Sequence, residues 1–209
     1  MTASRREERR RVQQDLSRTQ LLDAAEEVFG AKGFHDTTLK EIAELAEFSV
    51  GSVYSFFENK DDLFLHVFLR RGEEFLPGME AAATGGDDPV AQLHALVDYE
   101  VGFFRDHPHF GRLYLRTSST TLPGTALPSS AEMAANFQRA MDLQAGIFER
   151  GRATGVLRDA DPQVLGRLLT GLVAAYQSTD PAVVADDPAT ERLPLADLHD
   201  VVERAFAPA

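Results

Sequence analysis

The chain has no cysteine and no tryptophan among its 209 residues. It can therefore form no disulfide, no thiolate metal site and no cysteine nucleophile, and a reducing compartment suits it. Positive charge is scarce as well. Lys and Arg total 21 against 33 Asp and Glu, a formal net charge of -12, which taken alone argues against nucleic acid as a partner. Long apolar runs are missing too. None approaches the roughly 18 residues needed to span a bilayer, and no apolar run follows the charged N-terminus as in a signal peptide, so a soluble cytoplasmic protein without membrane contact is expected. Catalytic signatures are equally thin: there is no Gly-rich phosphate loop, no HExxH and no GxSxG, and the acidic pairs Asp87-Asp88 and Asp186-Asp187 fall in expected loops. Neither an enzyme nor a bound cofactor is expected.

What is present is helical patterning in an all-α chain long enough for a small domain and a larger one. The acid is unevenly spread. Residues 1–60 hold nine Lys plus Arg and eleven Asp plus Glu, whereas residues 61–209 hold twelve and twenty-two. Residues 37–60, TTLKEIAELAEFSVGSVYSFFENK, read as two short helices joined by a tight turn. Thr38 followed by Glu41 is a capping box, and Leu39, Ile42, Ala43 and Ala46 repeat at helical spacing behind it. Ser49 caps the second helix, whose inner face is Val53, Phe56 and Phe57 and whose outer face carries Val50, Gly51, Ser52 and Ser55. Asn59 caps the segment that begins at Lys60. A second helix with small outward groups suits close approach to another surface, as in a helix-turn-helix lying in a DNA major groove.

Around this unit the chain reads as further helices. Residues 1–16 carry five Arg interrupted by Glu7 and Glu8, either a disordered, solvated arm or one reaching phosphates or a narrow minor groove. Ser17 with Gln20 caps a helix buried through Leu21, Leu22, Ala25, Val28 and Phe29 and stopped at Lys32-Gly33, with Arg18 near its start a candidate phosphate contact. A helix from Lys60 carries Leu63, Phe64, Val67 and Phe68 until Pro77-Gly78 breaks or kinks it. Asp88-Pro89 opens another, with Val90, Leu93, Leu96, Val97, Val101 and Phe104 inward, and His107-Pro108 ends it and starts a short one. After a loop at 117–130, Ser129 with Glu132 opens a long helix stopping near Gly151. Asp161-Pro162 opens a helix with an apolar stripe too wide for one neighbour, and a last helix comes after Pro194.

Phe103, Phe104, Phe110, Tyr114, Met133, Phe137 and Met141 either pack a core or line a cavity whose soft walls suit an apolar or aromatic molecule. His107 and His109 lack helical ligand spacing and an adjacent carboxylate pair, so no metal is expected.

The stretch from Thr19 to Leu65 resembles the DNA-binding domain of TetR-family transcriptional regulators. The resemblance is carried by LLDAAEEVFGAKGF as a first helix, TTLKEIAELA as a second, VGSVYSFF as the recognition helix and NKDDLF opening a fourth. It implies a flexible arm at 1–16, a three-helix helix-turn-helix domain at 17–62, and a larger helical ligand-binding and dimerisation domain at 63–209. It implies that Thr38 and Lys40 touch the DNA backbone or a base edge, that Val50, Gly51 and Ser52 face bases with Ser49 and Ser55 beside them, and that Tyr54 and Lys60 bind phosphates. It further implies a homodimer, most simply a repressor, that leaves a pseudo-palindromic operator when a small effector binds. The last two helices would pair with their copies through Leu165, Leu168, Leu169, Leu172, Tyr176, Leu198, Val202 and Phe206; burial of these residues within one chain is the alternative. Three positions depart from the family pattern. Glu47 stands where Gly is usual in the inter-helix turn, Phe56 replaces Tyr or His, and Glu58 replaces Lys. These departures keep a helical interaction module without DNA binding as a competing reading.

Overall fold

Strong local caps followed by apolar stripes make most of the described residues helical. The computed structural model describes residues 5–118, 127–185 and 192–208 and contains no strand among them. The ten helices among these residues are α1 (Arg5–Lys32), α2 (Leu39–Leu45), α3 (Val50–Tyr54), α4 (Lys60–Thr84), α5 (Pro89–Asp106), α6 (Pro108–Ser118), α7 (Ala131–Thr154), α8 (Pro162–Gln177), α9 (Pro181–Val184) and α10 (Leu195–Phe206). Asn59, Asp88, Asp161 and Asp180 each cap the helix that comes after them with a side-chain oxygen.

Several boundaries differ from expectation. The segment expected as a flexible arm is helical from Arg5, because Arg, Glu and Gln are good helix formers and no Gly or Pro interrupts them. Ser17 is consequently no cap: its hydroxyl donates to the Gln13 carbonyl at 3.0 Å, and residues 5–16 form a fully exposed helical extension. The cap of α7 is Ser130, not Ser129, with its hydroxyl accepting from the Met133 amide at 3.1 Å. That helix runs on to Gly155, whose φ of 70° closes it, while Gly151 lies buried inside. The short α9 was not expected, although Asp180-Pro181 repeats the Asp-Pro opening of α5 and α8. Of the expected loop at 117–130, residues 119–126 lie outside the described residues.

Pro77 does not end α4. Proline lacks the N–H that would bond the Glu73 carbonyl, and its ring crowds that carbonyl. The adjacent turn is held from outside by Tyr99 of α5, whose hydroxyl donates to the carbonyls of Phe75 at 2.8 Å and Glu74 at 3.3 Å. Gly78 admits this ring, since a Cβ there would lie 2.3 Å from it.

Two cores result. The first joins α1, α2, α3 and the start of α4 to Phe104, Phe110, Leu113 and Val183 from later elements. The second joins Met79 and Ala83 of α4 to α5, α7, α8 and α10, and Phe75 packs against both. A division after residue 62 therefore cuts the chain where α4 is continuous, and α4 is shared by both cores. Five residues expected at a dimer interface, Leu165, Leu169, Leu198, Val202 and Phe206, are buried in the second core of the same chain. The wide stripe of α8 is filled from α5, α7 and α10, which leaves Leu168 55 % exposed and Leu172 and Tyr176 half-buried.

Candidate functional site

The turn between α2 and α3 is built by local hydrogen bonds. The Thr38 hydroxyl accepts from the Glu41 amide at 3.3 Å while the Glu41 carboxylate accepts from the Thr38 amide at 2.9 Å, a complete capping box. At the other end of α2, the Phe48 amide reaches the Ala43 carbonyl at 2.8 Å and the Glu47 amide the Glu44 carbonyl at 3.2 Å. That pairing is the Schellman closure, and it puts Glu47 at φ 61°. A side chain there carries the steric cost that glycine avoids, roughly 1 kcal/mol. Glu47→Gly is expected to raise unfolding stability by about that amount in urea titration, and an unchanged midpoint would remove the strain argument.

Outward from this turn the surface is polar but not basic. Thr38, Lys40, Ser49, Gly51, Tyr54 and Ser55 are exposed, Tyr54 by 57 %, whereas Ser52 is half-buried. Val50, expected on the outer face, is half-buried against the first core. The three serine hydroxyls also hold α3 together: Ser49 Oγ accepts from the Ser52 amide at 3.0 Å and lies 2.8 Å from Ser52 Oγ, and Ser55 Oγ donates to the Ser52 carbonyl at 2.6 Å. Lys40 pairs only loosely with Glu44, at 3.5 Å on the open surface. Lys32 of α1 is bonded to Glu41, and that hydrogen bond, with those from Thr38, holds the Glu41 carboxyl down at about 2.

Lys60 faces inward, contrary to a phosphate-binding role. Its ammonium donates to the carbonyls of Phe34 at 2.8 Å and Thr37 at 2.9 Å, approaches that of His35 at 3.5 Å, and sits 4.4 Å from the centre of the Phe34 ring. An ammonium has three donors, and here they tie the loop between α1 and α2 to the start of α4. Arg18 is likewise structural. One guanidinium N–H donates to the Phe56 carbonyl at 3.3 Å, just beyond α3, and the group lies 4.6 Å from the Phe57 ring centre.

A second feature lies between the two cores: a cavity of about 370 Å³ walled by α4, α5, α6, α7 and α8. Six of the seven residues expected to line it do so, with Phe137 exposed at its rim. Phe103 does not, and instead packs among Phe75, Tyr99 and His107. His107 lies 3.2 Å from Glu74 and His109 2.8 Å from Arg112. Among the described residues no group of three His, Asp or Glu could hold a metal.

The cavity also has polar walls that were not anticipated: Arg71, Glu100, Gln144, Thr170 and Gln177. Glu100 is 5 % exposed and accepts a hydrogen bond from Gln144 Nε2 at 3.0 Å, and Gln144 Oε1 in turn accepts from the Thr170 hydroxyl at 3.0 Å. Burial pushes the Glu100 carboxyl up to about 7, with the Gln144 hydrogen bond opposing. The available signal was its register, because Glu100 stands within the stripe Leu96, Val97, Val101 and Phe104 where every neighbour is apolar.

Arg71 connects the cavity wall to α1. Its Nε and one terminal nitrogen donate to Glu26 at 2.8 and 3.0 Å, its other terminal nitrogen donates to Glu74 at 2.5 Å, and Arg70 bonds Glu26 at 2.8 Å and Asp23 at 2.6 Å. Burial works against the Arg71 charge, yet the bonds from Glu26 and Glu74 hold the guanidinium above its ordinary range. From α6, Arg116 donates to the Gly30 and Ala31 carbonyls at the end of α1.

A short exposed helix behind a tight turn, carried by α1 and by a long α4 that runs on beside a cavity, also describes known regulators. Residues 21–67 match the family described as bacterial regulatory proteins, tetR family. The transcriptional activator FasR of Mycolicibacterium smegmatis is 32% identical over 134 residues, 60% of this chain and 61% of that protein. The transcriptional repressor NicS of Pseudomonas putida is 27% identical over 150 residues, 72% of this chain and 70% of that protein. The match thus spans less than two thirds of FasR. The structure of SmeT, the repressor of the Stenotrophomonas maltophilia multidrug efflux pump SmeDEF, superposes with a TM-score of 0.63 at 26% identity, covering 91% of this chain and 90% of that one. On the turn, the helices around it and these likenesses together, residues 21–67 form a module of the kind found in the tetR family of bacterial regulatory proteins.

Proposed function

We propose that the protein is a dimeric transcriptional repressor that binds a pseudo-palindromic operator through α2 and α3 and leaves it when a small, largely apolar molecule enters the cavity. The observation that carries this reading is the placement of α4. It begins immediately after α3 and Asn59, and further along it forms a wall of the cavity with Phe68, Arg71, Phe75 and Met79. A ligand that fits only one placement of α4 weakens DNA binding by the ratio of its affinities for the two states. Thr38, Lys40 and Tyr54 are the phosphate-facing groups in this reading, with Gly51, Ser52 and Ser55 nearest the bases. Lys60 and Arg18 act by positioning the loop before α2 and the chain after α3.

Dimerisation rests on the apolar stripe that folding leaves open. Val164, Leu168, Gly171 and Ala175 are exposed at helical spacing on α8, and Val201 is exposed on α10. Such a stripe suits a twofold copy of itself. Twofold symmetry also gives two short recognition helices two half-sites to read.

The test is selection of bound duplexes from a random DNA pool. The expected product is an inverted repeat whose binding weakens with salt. Tyr54→Ala should lower affinity for that duplex about tenfold, and Leu168→Glu should convert dimer to monomer in sedimentation and abolish the requirement for two half-sites. No enrichment, with the protein folded, would defeat the reading and leave the helical interaction module standing.

A further inference from the structure

The cavity wall is electrically lopsided. Its cation, Arg71, has all of its guanidinium nitrogens bonded to Glu26 and Glu74. Its buried carboxyl, Glu100, has one oxygen bonded to Gln144, and among the described residues the other accepts no hydrogen bond. Gln144 cannot turn to supply the second oxygen, because its own carbonyl is held by the Thr170 hydroxyl. The same cavity is lined by Phe75, Met79, Phe104 and Met141, which offer dispersion contact to an apolar body.

This oxygen opens onto the cavity instead of being sealed in the wall, and a ligand that supplies a donor there gains a hydrogen bond that no described protein group makes. A ligand carboxylate meets the opposite situation: the described wall holds no uncommitted cation, and it would lie near Glu100. We infer that the cavity is selective for a lipophilic amine, a molecule with an apolar body filling the space between α4 and α7 and one protonated nitrogen donating to Glu100. Burial at this position holds the carboxyl up at about 7, so near pH 8 it is mostly ionised and the pairing is between opposite charges. The polar groups that line the same cavity from the packed helices are Arg71 on α4, already neutralised, Tyr114 and Thr117 on α6, Asn136 and Gln144 on α7, and Thr170 and Gln177 on α8. The inference rests on the cavity being the effector site and adds the head group it takes.

Three probes with the same chain and different heads separate these claims: decylamine, decanol and decanoate, titrated calorimetrically into the purified full-length protein near pH 8 below their micellar concentrations. A hydrogen bond to a charged group predicts that decylamine binds at least about tenfold more tightly than decanol, with decanoate weakest. Glu100→Gln keeps the shape of the side chain and should erase the amine's advantage over decanol. The ranking of heads on the unmodified protein stands as a test even if that variant folds poorly. Equal binding of the three, a preference for decanoate, or an amine advantage that survives Glu100→Gln would overturn the amine assignment and leave the cavity as an effector site. Binding of none of them would overturn both.

Discussion

Glu26→Ala is expected to lower the unfolding free energy by about 3–5 kcal/mol, the largest single effect of any substitution considered for this chain. Glu26 lies in α1 at 5 % exposure, and both of its oxygens are taken by Arg70 and Arg71 of α4. The pair contributes little relative to apolar residues of the same volume, because taking three charges out of water costs about what their attraction returns. Removing one partner is a different operation. It leaves two mostly buried guanidinium groups with Asp23 and Glu74 as their remaining carboxylates, both more exposed than Glu26. Urea titration of the variant checks the value, and Lys40→Ala serves as the contrast, since the exposed Lys40–Glu44 pair should contribute within about 0.5 kcal/mol. A loss below about 1 kcal/mol for Glu26→Ala would mean that water reaches the site and solvates the arginines. The position matters beyond stability. Arg71 is bonded to α1 on one side and walls the cavity on the other, so in the proposed regulator a molecule that moves Arg71 also loosens the attachment of α1 to α4.

How legible each feature is in the sequence depends on the distance over which its interactions act. The capping boxes, the Asp-Pro helix starts and the turn strain at Glu47 join residues two to five positions apart, so spacing alone exposes them. Lys60 misled because its partners Phe34 and Thr37 lie 26 and 23 positions upstream, and an exposed-looking lysine at a helix start reads equally well as a phosphate ligand. Phe103 and Phe104 are neighbours on α5, yet successive residues on a helix point about 100° apart, and only the second reaches the cavity. The stripe of α8 correctly implied two burial partners. Its composition carried no information on whether those partners belonged to the same chain, and α5, α7 and α10 supply most of the cover. Residues 5–16 illustrate the opposite limit: with no apolar stripe they read as a solvated arm, while their helix propensity continues α1 without any packing. For Glu100 residue type points the wrong way, because a lone acid in a helix usually faces water. Its position in the apolar register outweighed its chemistry.

For the same residue, stability should fall as pH rises. A carboxyl that titrates at about 7 in the folded chain and near 4.5 when unfolded stays protonated in the native state over a range where the unfolded chain has already lost the proton. Its favourable contribution is complete below 4.5 and disappears as pH climbs through 7, because above that point folding must bury a charge. At about 1.4 kcal/mol per pH unit the gap corresponds to about 3 kcal/mol. Glu100→Gln carries no charge at any pH, so it should match the unmodified protein near pH 4 and exceed it by up to that amount near pH 8. Urea titrations of both proteins at the two pH values isolate the difference, since every other titrating group is common to them. Parallel pH dependences would show that Glu100 ionises freely, by contact with water through the cavity. If the difference appears, the chain maintains near neutral pH a buried carboxylate that lowers its own stability. That cost is recovered when a cation occupies the cavity. Decylamine should therefore raise the unfolding midpoint of the unmodified protein more near pH 8 than near pH 4, and should lose that pH dependence in Glu100→Gln.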